Sequence, residues 1–233
     1  MKIVQFRYGE DNLGYVIYTG ASAIAVDGGA TTKIFEFLNE EKLNLKYVVN
    51  THSHRDHTCG NAELLEKTNA RFFSTNELST RGSISLGDCI INIISTPGHT
   101  ADSVCLHFNN TLLTGDTLFN GKVGMCFTGD YENFFLSINK LLGLPGNTLI
   151  YAGHDYVLEY LEQAEQIEPS NKERISEYRK LYNPDLVVFD LNSEKAVNPF
   201  IRFNERSIVN FLERENLKTK TECLRFKSLM RFM

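Results

Sequence analysis

At 233 residues the chain is long enough for one large domain or a domain with an extension. Its 29 acidic residues outnumber its 24 basic ones, a net charge of −5 that gives no sign of general nucleic-acid binding. Apolar residues make up 42%, enough for a sizeable core, yet no apolar run approaches the roughly 18 residues that argue for a membrane span. The N-terminus enters a strand pattern with no signal-peptide core. Cys59, Cys89, Cys105, Cys126 and Cys223 show neither metal-knuckle nor redox-pair spacing. Free thiols in a reducing compartment, and hence a cytoplasmic protein, are expected.

Three strands are predicted first, over 2–8, 14–18 and 23–26, with Asp11-Asn12 and Thr19-Gly20 as turn signals. Asp27 closes the third strand, where it either supports a metal ligand or serves a turn. Ile34, Phe35, Phe37 and Leu38 form a helical stripe within 32–43. Residues 45–50 read as a buried strand, 61–68 as a short helix, and 71–74 and 89–94 as further strands. Phe134, Phe135, Ile138 and Leu141 predict a helix over 132–142. Strands alternating with helices suit a pair of mixed sheets sandwiched between helical layers. From 156 to 181 the pattern is helical and charged, Pro184 breaks it, and 218–233 is a basic helical tail.

The stretch Thr51-His52-Ser53-His54-Arg55-Asp56-His57 packs three imidazoles and a carboxylate into six residues after the strand at 45–50. If the backbone stays extended, His52 and His54 point to one side. Asp56 and His57 can then turn toward a neighbouring point, which is the layout of a two-metal centre. Further candidates recur in one context, an apolar run, a glycine and then the ligand: His99 after Gly98, Asp116 after Gly115 and His154 after Gly153. Only His107 falls outside this pattern; alternating with apolar residues, it reads as a half-exposed strand histidine.

Thr-His-x-His-x-Asp-His, followed by Pro-Gly-His, Thr-Gly-Asp and Gly-His, resembles the metallo-β-lactamase superfamily over roughly the first 160 residues. Two later stretches, Ile167-Glu168-Pro169-Ser170-Asn171 and Asn198-Pro199-Phe200-Ile201-Arg202, resemble its hydroxyacylglutathione hydrolase (glyoxalase II) branch. The resemblance implies an α/β fold, a four-layer αββα sandwich with a C-terminal helical extension. It divides the chain into a catalytic domain, 1–158, and a mainly helical substrate-recognition domain, 159–233. It gives one metal to His52, His54 and His99, a second to Asp56, His57 and His154, and a bridging role to Asp116. Asp56 and Asp116 are the expected catalytic carboxylates. The cofactors expected are two divalent ions, zinc first, with iron or manganese as alternatives.

The implied reaction is attack of a metal-bridging hydroxide on a thioester carbonyl, with S-lactoylglutathione as the model substrate. Glutathione carries two carboxylates, so its pocket needs cations and donors. Arg202 and Tyr156 match the family's motif residues. Lys122 and Arg206 are further candidates, and Arg225 and Lys227 weaker ones. The loop 119–127 departs from the family's Gly-Cys-Gly pattern, with Met125 where a cation is expected. Two alternatives stay open: a persulfide (sulfur) dioxygenase with a mononuclear iron site, and a hydrolase of another thioester or a lactone. A monomer acting on a small molecule, with neither nucleic acid nor membrane as partner, is expected.

Overall fold

Alternating strand residues divide the apolar side chains between an inner and an outer face. The computed structural model describes all of residues 1–233. Strands β1 (Lys2–Tyr8), β2 (Asn12–Thr19) and β3 (Ser22–Val26) form an antiparallel meander. Parallel strands β4 (Asn44–Val49) and β5 (Arg71–Phe73) extend it to a five-stranded sheet. The second sheet has six strands: β6 (Ser83–Leu86), β7 (Cys89–Ser95), β8 (Val104–Phe108), β9 (Thr111–Gly115), β10 (Leu149–Ala152) and β11 (Phe189–Asp190). All its pairings are antiparallel except β9 with β10.

Leu13, Tyr15 and Ile17 of β2 meet Leu106, Phe108 and Leu113 of the other sheet in one buried cluster. Val16 faces outward, packing with Ile34 and Leu38 of helix α1 (Thr31–Glu40) and Leu64 of α3 (Asn61–Glu66). On the opposite outer face, Cys105, Leu112 and Ile150 pack with Phe134, Ile138 and Leu141 of α5 (Tyr131–Leu142). These are the four expected layers. The remaining short helices are α2 (Arg55–Thr58), which follows β4, and α4 (Thr75–Arg81), which precedes β6.

The C-terminal third builds onto the same cores. The helical stretch from 156 to 181 is two helices, α6 (Val157–Ile167) and α7 (Lys172–Leu181), separated by a 3-10 turn at Pro169–Asn171. Leu161 of α6 and Tyr178 of α7 join the inter-sheet cluster. Strand β11 is the edge of the second sheet, so no gap in the core falls at residue 158. Helices α8 (Leu191–Val197), α9 (Arg206–Arg214) and α10 (Glu222–Leu229) follow, with Ile208, Leu212, Phe226 and Leu229 covering α5. The basic tail is therefore helical only over α10 and a terminal 3-10 turn at Met230–Phe232. No helix is long and apolar enough to cross a membrane, and all five cysteines are free.

Arg202 requires a correction. Its Nε and Nη2 each donate to Glu168, both at 2.9 Å, and its Nη1 donates to the Lys195 carbonyl oxygen. The two side chains are only 9% and 3% exposed. The guanidinium therefore joins the α6–α7 turn to the segment before α9, rather than facing a substrate. Breaking a buried pair by removing one partner costs about 3–5 kcal/mol, because the other charge stays buried. Arg202→Ala should accordingly lower the unfolding free energy by about 3 kcal/mol and Tm by roughly 6–12 °C. Denaturant and thermal melts test this; an unchanged melt together with a raised KM would return Arg202 to substrate recognition.

Candidate metal centre

The C-terminal ends of β3, β4, β7, β9 and β10 supply the side chains that converge at one edge of the sandwich. β3 and β4 run parallel, as do β9 and β10, while β7 lies two antiparallel steps from β9 and so shares its direction. Backbone bonds tie the ends together: Val104 N to Thr51 O at 2.8 Å, Gly153 N to Gly115 O at 2.9 Å and Leu13 N to Gly153 O at 2.8 Å. Gly153 is required by close approach, since a Cβ there would lie 2.2 Å from Asp116 Oδ1.

Two groups of donor atoms result. His52, His54, His99 and Asp116 form one, Asp56, His57 and His154 the other, with the atoms of each group within 4.8 Å of one another. Asp116 stands between them. Its Oδ2 is 3.4 Å from both His99 Nε2 and His154 Nε2, and its Oδ1 is 3.4 Å from His57 Nε2. All seven residues singled out in the sequence are thus brought together.

The backs of four imidazoles face hydrogen-bond acceptors. His57 Nδ1 meets Asp27 Oδ2 at 3.1 Å, His154 Nδ1 meets Asp11 Oδ1 at 2.8 Å and His99 Nδ1 meets the Met125 carbonyl oxygen at 2.9 Å. His52 Nδ1 meets Thr51 Oγ1 at 3.1 Å, and that hydroxyl donates onward to Asp27 at 2.6 Å. The outer contacts place the proton of each neutral ring on Nδ1 and turn the Nε2 lone pair inward. Inward-facing nitrogens then crowd each other: His52 and His54 at 3.0 Å, His99 and His54 at 3.0 Å, His57 and His154 at 3.1 Å. Asp116 Oδ1 is buried with no hydrogen-bond donor. Lone pairs held this close repel unless a cation lies among them, so the donor set fits divalent metal ions.

Burial and the neighbouring charges push the groups of the cluster in different directions. Burial favours neutral His57, but the Asp27 and Asp116 carboxylates outweigh it and push its pKa up to about 11. At His52 burial prevails, pulling it down to about 4. Burial alone would raise the Asp116 carboxyl, yet His154 and His57 hold it well below the usual carboxylate range. Asp56 is likewise lowered, against burial, by His57 and by the Asn12 amide, which donates to Asp56 Oδ2 at 2.9 Å.

Asp27 supports the ligands rather than merely ending a strand: with φ +50° it receives Thr51 N, Thr51 Oγ1 and His57 Nδ1. Asp11 and Asn12 were legible only as a turn signal, although they back His154 and hold Asp56. Tyr156 stacks on the His154 ring, with centroids 5.0 Å apart and planes 7° apart. His107 is a half-buried residue of β8, as expected. The predicted cations do not join the cluster. Arg202 pairs with Glu168, Arg206 is solvent-exposed at the start of α9, and Lys122 is buried with its ammonium over the Tyr160 and Phe200 rings. Exposed apolar side chains at the cluster are Phe127, edge-on to His54 and His99, and Met125.

Residues 9–81 and 86–154 match the metallo-beta-lactamase superfamily. The hydroxyacylglutathione hydrolase of Nitrosomonas europaea is 30% identical over 230 residues, covering 92% of this chain and 88% of that protein. That of Tolumonas auensis is 33% identical over 222 residues, covering 88% and 87%. Among solved structures, ETHE1 from Myxococcus xanthus superposes with a TM-score of 0.68 at 22% identity, covering 100% of this chain and 98% of that one, a likeness of fold. With its ligand cluster intact and relatives of this identity along most of its length, the chain belongs to the metallo-beta-lactamase superfamily, as a metallohydrolase akin to the hydroxyacylglutathione hydrolases.

Proposed function

We propose that the protein hydrolyses thioesters at a two-metal site, with S-acylglutathione as the substrate class. The observation that carries this reading is the second donor group: Asp56, His57 and His154 form a set of their own beside the His52, His54 and His99 set, with Asp116 between. A mononuclear iron oxygenase would need only one of them. Relatives named hydroxyacylglutathione hydrolase at 30–33% identity over most of the chain support the glutathione thioester.

In this assignment His52, His54, His99 and Asp116 would hold one ion, and Asp56, His57, His154 and Asp116 the other. Bound divalent ions supply a Lewis acid for an acyl oxygen and lower the pKa of a nearby water. The chain's own residues do the rest. Asp11, Asp27, Thr51 and the Met125 carbonyl fix the ring orientations, so no reorganisation is needed as charge develops. Asp56, 48% exposed at its side chain and ionised at neutral pH, can accept a proton from the attacking water. A thiolate leaves without a dedicated general acid, and the site presents no obvious one. For the carboxylates of the thiol half, the C-terminal segment offers Lys218, Lys227 and Arg231, which line one groove beside Tyr131. Tyr131, with Lys227 over its ring, opens α5 four residues after Phe127, and that link supports assigning this groove the role expected of Arg202.

Two outcomes follow. Asp116→Ala should strip both ions, whereas His154→Ala should weaken only the second; elemental analysis after dialysis against limiting chelator distinguishes them, and equal loss in both variants would remove the bridging role. Purified protein should release thiol from S-lactoylglutathione and consume no oxygen with glutathione persulfide. Oxygen uptake without thioester hydrolysis would replace the hydrolase reading by the oxygenase one.

A further inference from the structure

The loop between Asp116 and α5 touches the metal cluster at one end and a buried carboxylate of the C-terminal segment at the other. At the near end, Gly124 lies so tightly against the Asp116 backbone that a Cβ would come within 1.7 Å of its carbonyl oxygen and 3.3 Å of His99 Nδ1. The next residue supplies the carbonyl that holds His99 Nδ1. The loop closes on itself through Phe119 N to Lys122 O at 2.8 Å and Gly124 N to Thr117 O at 3.2 Å. Leu118 and Val123 pair across it and are fully buried. These contacts cross-link the loop, so a displacement of its tip is passed to its base.

At the far end stands Glu194 of α8, fully buried and without a cationic partner. Its oxygens receive Gly121 N at 2.9 Å and Asn120 Nδ2 at 3.4 Å from the loop tip. They also receive Asn198 Nδ2 at 3.2 Å and the Tyr178 hydroxyl of α7. Burying a carboxylate is costly unless donors compensate, and these four do, two from the loop and two from the C-terminal helical region. Nothing in the hydrolytic chemistry uses Glu194.

We propose that Glu194 is a positioning residue: it pins the tip of the 117–125 loop to α7 and α8, and through the cross-linked loop sets the Met125 carbonyl that orients His99. The C-terminal segment thereby tunes one of the two metal positions, the one served by His52, His54 and His99, through His99, whereas His154 and His57 of the other are backed directly by Asp11 and Asp27. This rests on the two-metal reading above. It also explains why a segment carrying none of the seven ligands folds onto the sandwich instead of standing apart.

The test is zinc affinity, measured site by site in the full-length protein by competition with a chromophoric chelator, with cobalt spectra reporting the His99 position. Glu194→Gln keeps the side-chain shape but turns one acceptor into a donor facing donors. It should weaken the His99-group ion by up to about tenfold, the lower end of the scale for a ligand's direct outer partner, shift the cobalt spectrum and spare the His154-group ion. Asn120→Ala, which removes one loop donor without stranding a charge at the helix, should move the same ion the same way and keeps the test open if Glu194→Gln fails to fold. Arg202→Ala serves as the control: it destabilises the same segment without touching the loop and should alter neither ion. Wild-type-like affinity at the His99 group in Asn120→Ala and folded Glu194→Gln, or equal weakening at both groups, overturns the proposal. Failure of the wild-type protein to bind at the His99 group would overturn the two-metal reading itself.

Discussion

Mutual repulsion among inward-facing lone pairs is the constraint on which this structure depends. Five imidazoles and two carboxylates converge at one edge, and each tends to turn away or take a proton. The fold prevents the first, and permits the second only where carboxylates favour it, as Asp27 and Asp116 do at His57. Asp27, Asp11, Thr51 and the Met125 carbonyl occupy the backs of four rings and fix where their protons sit. An unmet buried polar group costs about 1–3 kcal/mol, so orphaned atoms such as Asp116 Oδ1 store free energy that a cation can release. The site is therefore built by the sandwich and stabilised by what it binds.

The sandwich suits this purpose because of strand direction. Parallel β3 and β4 in one sheet, and parallel β9 and β10 in the other, end side by side. Asp116 and His154 then lie just beyond strands buried along nearly their whole length, which makes their positions rigid. Inter-sheet packing of Leu13, Tyr15 and Ile17 against Leu106, Phe108 and Leu113 sets the distance between the two halves of the cluster. A large-to-small change in that layer, far from any ligand, would reach the site through the strand ends.

The ligand set was legible in the sequence because each member carries a local signature: an apolar strand, a glycine and a titratable side chain. The layers were legible from periodicity. What supports the ligands was less so, since support is given across the fold. Asp11 and Asn12 look like a turn because they are one, and their second role depends on β2 meeting β10 some 140 residues later. Glu194 sits in an unremarkable charged helix, and only burial reveals that its carboxylate faces a loop of the other half. Arg202 was misread for the converse reason. A motif arginine suggests an anion, and the sequence could not show that Glu168, in the other matching motif, is that anion.

Returning metal to the chelated wild-type protein tests the preformed two-metal site most directly. A calorimetric titration with zinc, followed in parallel by circular dichroism, should show two equivalents bound and an unchanged secondary structure, because the acceptors behind the rings already hold the ligands in place. One equivalent at saturation, or a secondary structure that forms only as metal is added, would contradict it.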